Sequence, residues 1–121
     1  MSTFHLSIGV KSIEESINFF VGVLNGKILH RDPSGYVNVD VLSAQITLKE
    51  NSNINPTLPD FHFGFNLPLN EFDELAQAIM KFNSAHVAVA PTIVDPNTPL
   101  ERKKMYLKEP TGYLVELKGY R

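Results

Sequence analysis

The chain carries one short pattern twice. Phe4-His5-Leu6-Ser7-Ile8-Gly9 returns in the second half as Phe61-His62-Phe63-Gly64-Phe65. In a β-strand, successive side chains point to opposite faces. Phe4, Leu6 and Ile8 therefore form one apolar row, with His5, Ser7 and Gly9 on the other face. Phe61, Phe63 and Phe65 form the matching row, with His62 and Gly64 opposite. Each apolar row calls for a helix behind it, and each small, polar face is left to line a cavity. Whatever follows the first Phe-His strand must also follow the second.

The sequence meets that condition. Ser12 and Glu15 form an S-x-x-E capping box, and Ile13, Ile17, Phe20, Val21 and Leu24 recur at helical spacing. Asn25-Gly26 ends that helix. Residues 27–31 read as a short strand, and Asp32-Pro33-Ser34-Gly35 as a turn. Val37, Val39 and Val41 alternate with polar residues, and Ile46 and Leu48 alternate again over 45–50. Residues 51–60 are polar with two prolines, a linker by composition. The order then restarts. After the 61–66 strand, Asn70 is a candidate N-cap, with Phe72, Leu75, Ala76, Ile79 and Met80 as the buried stripe. A strand over 86–90, a proline-rich loop over 91–99, a strand over 103–108, a turn over 109–112 and a strand over 113–118 complete it.

The predicted fold is thus α+β, two βαβββ modules in a single domain: module one over about 1–50, linker 51–60, module two over 61–121. A sheet with one helix buries only one face. The other face must curl around a cavity or meet another sheet. Aligning the modules lays Val115-Glu116-Leu117-Lys118 over Ile46-Thr47-Leu48-Lys49, so Glu116 takes the position of Thr47.

Composition excludes several classes. The net charge of −2 and scattered Lys and Arg argue against nucleic-acid or anionic-membrane partners. Without cysteine there is no thiol nucleophile, disulfide or Cys-based zinc site. No leader-like segment or bilayer-length apolar run is present, so a cytoplasmic location is the default expectation.

His5, His62 and Glu116 fall on cavity-facing positions of three strands. Two imidazoles and one carboxylate form the facial-triad set that holds a divalent metal with positions left open. A Glu between Val115 and Leu117 is also costly to bury without a cation. Tyr106 reaches the same face by alternation and is the candidate catalytic side chain. Ser7, Gln45, Thr47 and Asn66 share the face by parity, and Arg102 is a candidate for an anionic substrate; these are the expected substrate-binding residues. His30 and His86 lie in second strands and read as solvated.

On these residues the chain resembles the vicinal-oxygen-chelate superfamily of glyoxalases, bleomycin-resistance proteins and extradiol dioxygenases. The match is carried by the two Phe-His strands, the Ser12 helix, and Glu109-Pro110-Thr111-Gly112-Tyr113-Leu114-Val115-Glu116. The resemblance implies that His5, His62 and Glu116 ligate Fe, Mn, Ni or Zn inside a cup-shaped mixed sheet, in a homodimer acting on a small molecule. Glyoxalase I enzymes add a fourth ligand where this chain has Thr47. A His, His, Glu set matches extradiol dioxygenases, the favoured reading, and fosfomycin-modifying thiol transferases, which carry a tyrosine where this chain has Tyr106. Lyase or isomerase chemistry, or metal-free binding of a small molecule such as a drug, are the alternatives.

Overall fold

The structure is a computed structural model and describes residues 2–56 and 60–121. The chain divides after Pro56 into two compact units. The first runs β1 (Phe4–Val10), α1 (Ile13–Ile17) continued by a π-helical turn (Asn18–Val23), β2 (Lys27–Arg31), β3 (Val37–Val41) and β4 (Ala44–Glu50). The second runs β5 (Phe63–Pro68), α2 (Leu69–Phe82), a 3₁₀ turn (Ser84–His86), β6 (Val87–Val94), β7 (Arg102–Lys108) and β8 (Leu114–Tyr120). The strand orders are β1-β4-β3-β2 and β5-β8-β7-β6. In each sheet the first pair is parallel and the other two are antiparallel. Each unit is therefore a four-stranded mixed sheet with the same βαβββ order, the α+β fold that the repeat predicts.

The registers carry the repeat down to single residues. Ser7 stands beside Thr47 in the β1–β4 pair, and Gly64 stands beside Glu116 in the β5–β8 pair. Asn38 is opposite Thr47, and Tyr106 is opposite Glu116. Thr47 and Glu116 thus occupy the same node of two matching lattices.

In the first unit, Ser12 accepts a hydrogen bond from the Glu15 N–H at 3.3 Å, as its capping position predicts. The Ile13 N–H is satisfied from the far end of β4, donating to Glu50 Oε1 at 3.0 Å. The helix buries a different set from a simple 3.6-residue stripe. The π turn widens the spiral, so Phe19, Phe20, Val23 and Leu24 are buried and Val21 is only half-buried. Phe4, expected in the apolar row, is 67% exposed, and burial along β1 sets in only at Ile8 and Val10. Val37, Val39, Val41, Ile46 and Leu48 are buried as their alternation predicts.

The second unit departs from expectation at its prolines. β5 begins at Phe63 rather than Phe61 and ends at Pro68, which also serves as N-cap of α2. Asn70 lies inside the helix and does not cap it; the fixed φ of Pro68 turns the chain into the helix two residues earlier. Phe72, Leu75, Ala76 and Ile79 are buried, and Met80 is exposed. β6 runs through Pro91 to Val94 instead of ending at Ala90. It is an edge strand, and its pairing with β7 shifts register between Val89 and Thr92, so the missing proline N–H interrupts no regular ladder.

α2 lies against β8 at Gly119, where an added β-carbon would fall 2.7 Å from Phe72 Cβ. That close approach fixes which face of β8 is apolar. Val115 and Leu117 are fully buried toward the helix, and Glu116 and Lys118 point to the opposite face.

Candidate metal and substrate site

Glu116 is the centre of the site. β8 presents it on the face away from α2, yet the residue is only 6% exposed. A carboxylate held that far from water needs partners. His62 Nε2 is 3.2 Å from Glu116 Oε1, and Lys118 Nζ is 3.8 Å from the same oxygen. Tyr106, directly opposite on β7, is hydrogen-bonded to the Glu116 side chain. The His62 and Tyr106 rings meet edge to face at 5.7 Å between centroids. Desolvation first, and then the Glu116 hydrogen bond and charge, push the Tyr106 phenol above its ordinary pKa. Tyr106 therefore keeps its proton at neutral pH and acts as a donor.

Local chemistry sets this geometry. Gly64 stands beside Glu116, and a β-carbon there would lie 2.0 Å from the Glu116 carbonyl oxygen. Only glycine fits against the strand that carries the carboxylate. At the start of β8 the Glu109–Gly112 turn is held by the buried Glu109 carboxylate, which accepts the Thr111 N–H, and by Gly112 at φ 120°. Phe61, Phe63 and Tyr113 form an aromatic cluster with centroids 6.2 to 6.5 Å apart, which anchors the chain around His62.

The expected site residues fall into two groups. His62, Glu116 and Tyr106 are brought together in the second unit, and Asn66 follows one row along, beside Lys118. Arg102, on the same strand and face as Tyr106, donates to Asp95 at 2.7 Å and to the Leu100 carbonyl at 3.0 Å. His5, Ser7, Gln45 and Thr47 belong to the first unit. There His5 pairs with Gln45 and Ser7 with Thr47 on one face of the sheet. The Thr47 hydroxyl donates to Asn38 Oδ1 at 2.6 Å. Within either unit, no three described His, Asp or Glu residues are grouped to hold a metal. His30 is exposed and His86 is half-buried, with contacts to Asp32 Oδ1 at 3.2 Å and to the Lys108 carbonyl at 3.4 Å. Sequence reasoning missed Lys118 and Lys104 as members of the site; their alternation with Glu116 and Tyr106 was the available signal.

Two repeated βαβββ units, the second carrying a buried carboxylate against a histidine and a tyrosine, define a glyoxalase-like protein. The chain belongs to the Glyoxalase/Bleomycin resistance protein/Dioxygenase superfamily, whose family model matches residues 3–117. Its fold is similar to that of a glyoxalase/bleomycin resistance protein/dioxygenase from Alicyclobacillus acidocaldarius, with a TM-score of 0.83 at 21% identity over 98% of this chain and 91% of that one. A glyoxalase/dioxygenase from Nostoc punctiforme matches with a TM-score of 0.77 at 18% identity, over 99% and 91% of the two chains. The fosfomycin resistance protein FosX from Listeria monocytogenes matches with a TM-score of 0.75 at 16% identity, over 100% and 94%. Comparison with curated proteins gives no match in sequence. Among the described residues, no helix is long and apolar enough to cross a membrane.

Proposed function

We propose that the protein is a metal-dependent enzyme acting on a small oxygen-rich molecule, with His5, His62 and Glu116 as the metal ligands and dioxygenase-like chemistry as the favoured reaction. The observation that carries this reading is the buried Glu116 carboxylate facing the His62 ring at 3.2 Å. An imidazole and a carboxylate at that distance fit two of the three ligands of a facial triad. Fe, Mn, Ni or Zn bound there supplies Lewis acidity to neighbouring substrate oxygens. Glu116 contributes the negative charge that offsets the cation. Tyr106, kept protonated, donates to an oxygen of the substrate. Ser7, Gln45, Thr47, Asn66 and Arg102 orient the rest of that molecule.

The active form in this reading is a cytoplasmic homodimer. Its support is the state of the edge strands: β2 is exposed throughout and β6 over most of its length, with Ile28, Leu29, Val89 and Ile93 in water. Long apolar edges of that kind invite pairing with another chain. Sedimentation of the purified protein as a 13.6 kDa species alone argues against it.

Titration calorimetry of Mn, Fe(II), Ni and Zn into metal-free protein tests the ligand set. Changes at a metal's outer shell already cost about 10–100-fold in affinity, so His5→Ala, His62→Ala and Glu116→Gln should each cost at least that. A Glu116→Gln variant that binds as tightly as the parent rejects the assignment. A catechol and glutathione-adduct panel then separates dioxygenase from thiol-transferase chemistry. The second reading is a non-catalytic small-molecule binder. It is favoured by Glu116 already having His62, Tyr106 and Lys118 around it, and absence of any metal affinity selects it.

A further inference from the structure

The register of the second sheet arranges its open face in rows. Gly64, Glu116, Tyr106 and Val89 stand side by side across the four strands. The next row on that face is Asn66, Lys118, Lys104 and Thr92. Lys118 and Lys104 are thus directly opposite each other on neighbouring antiparallel strands. Like charges in that position destabilise a sheet. No carboxylate lies in the row. Three other cations of this unit have carboxylate partners: Arg102 with Asp95 at 2.7 Å, Lys103 with Asp73 at 2.9 Å, and Arg121 with Glu101 at 2.7 Å. Lys118 reaches back to 3.8 Å from Glu116 Oε1, an oxygen it shares with His62, and Lys104 leans the same way, over the Tyr106 ring at 5.6 Å. The row also adjoins open space. Lys118 lines a cavity of about 680 Å³, within the range of small-ligand sites, together with Tyr120 and the Arg102–Asp95 and Arg121–Glu101 ion pairs; Lys104 stands outside that lining.

We propose that the Lys104–Lys118 pair is an anion-binding subsite, and that the substrate carries an oxyanion, phosphate-like or carboxylate, next to the oxygens that lie near Glu116. The subsite rests on the sheet register; its role in holding a substrate rests on the function proposed above. The rows are about 7 Å apart along the backbone, but both ammonium groups lean toward the Glu116 row, so the anionic group sits within reach of the oxygens near Glu116. Asn66, beside Lys118 in the register, offers an amide on the same face. A bound oxyanion offsets the repulsion between the lysines, which the free protein carries as a cost.

The test uses metal-free protein at low ionic strength, titrated with inorganic phosphate and with acetate and followed by chemical shifts and thermal midpoints. In the parent, shifts around residues 104 and 118 saturate and the midpoint rises. Lys104→Gln or Lys118→Gln weakens binding about tenfold, the size expected for one charge-assisted hydrogen bond. Lys108→Gln, on the same strand and face but opposite Leu114, leaves it unchanged. Lys104→Gln also melts higher than the parent without phosphate and gains nothing from phosphate. Tighter phosphate than acetate assigns a phosphoryl-type substrate, and the reverse a carboxylate. Absence of saturation, equal loss in Lys108→Gln, or a lower midpoint for Lys104→Gln overturns the subsite. Because no metal is present, phosphate binding by a protein with no metal affinity sinks the metal reading alone, and metal binding without phosphate binding sinks the subsite alone.

Discussion

Gly64 and Glu116 face each other across the parallel β5–β8 pair so closely that a β-carbon at 64 would lie 2.0 Å from the Glu116 carbonyl oxygen. The obstacle is backbone, which cannot swing aside as a side chain does. Gly64→Ala is therefore expected to lose about 1–3 kcal/mol or more of unfolding free energy in urea, the range for overpacking. Gly22 is the control, since nothing lies within 4 Å of an added β-carbon there. Gly22→Ala should be neutral or gain up to about 1 kcal/mol from helix propensity. Equal effects of the two changes reject the close approach at Gly64.

The Asp32–Gly35 turn makes a pH-dependent contribution with a definite sign. The Ser34 hydroxyl, the Ser34 N–H and His30 all bond to the Asp32 carboxylate and hold its pKa at about 2, against an ordinary 3.8. A depressed folded-state pKa stabilises the fold above the unfolded value and loses that contribution as pH falls through about 2. Ser34→Ala should move the Asp32 carboxyl titration, followed by NMR, up toward 3.8. A titration that stays in place excludes Ser34 as the main cause.

The fold was legible because its signals are local and repeated. Val37, Val39 and Val41 give a period of two, and the Phe-His strands announce the duplication. What escaped depends on tertiary context. The π turn after α1 changes which side chains are buried without changing composition, so Phe19 was missed. Pro91 reads as a breaker, and only the edge position of β6 with its shifted register makes it harmless. Phe61 reads as the first residue of a strand but precedes β5, in an aromatic cluster with Phe63 and Tyr113. At the site, strand parity placed Glu116, Tyr106 and Asn66 on one face. It did not supply the Lys104–Lys118 opposition, because cross-strand register between β7 and β8 is set by the turn that joins them, not by either strand's own pattern.

Thr47 tests the distinction between the two nodes of the repeat. Its hydroxyl is engaged with Asn38 at 2.6 Å, where Glu116 in the other unit has Tyr106 and His62. A neutral hydroxyl is a weak ligand beside imidazole and carboxylate. Thr47→Ala should cost about 1 kcal/mol for the lost hydrogen bond and leave metal affinity unchanged. A large fall in metal affinity adds Thr47 to the coordination sphere.

Glu50 is the one carboxylate of β4, at its end, and its position assigns it to the helix. Its Oε1 accepts the Ile13 N–H at 3.0 Å, one of the N-terminal donors of α1 that has no partner inside the helix. A carboxylate there also meets the positive end of the helix dipole. Glu50→Ala should cost about 1 kcal/mol or slightly more, the usual effect of losing an N-terminal cap. Glu50→Gln keeps an oxygen acceptor and removes the charge, so its cost should be smaller. Both variants should titrate Mn and Zn like the parent. Metal affinity that falls in Glu50→Ala while the urea midpoint stays put would move this carboxylate from the helix to the metal and displace Glu116 as the principal acidic ligand.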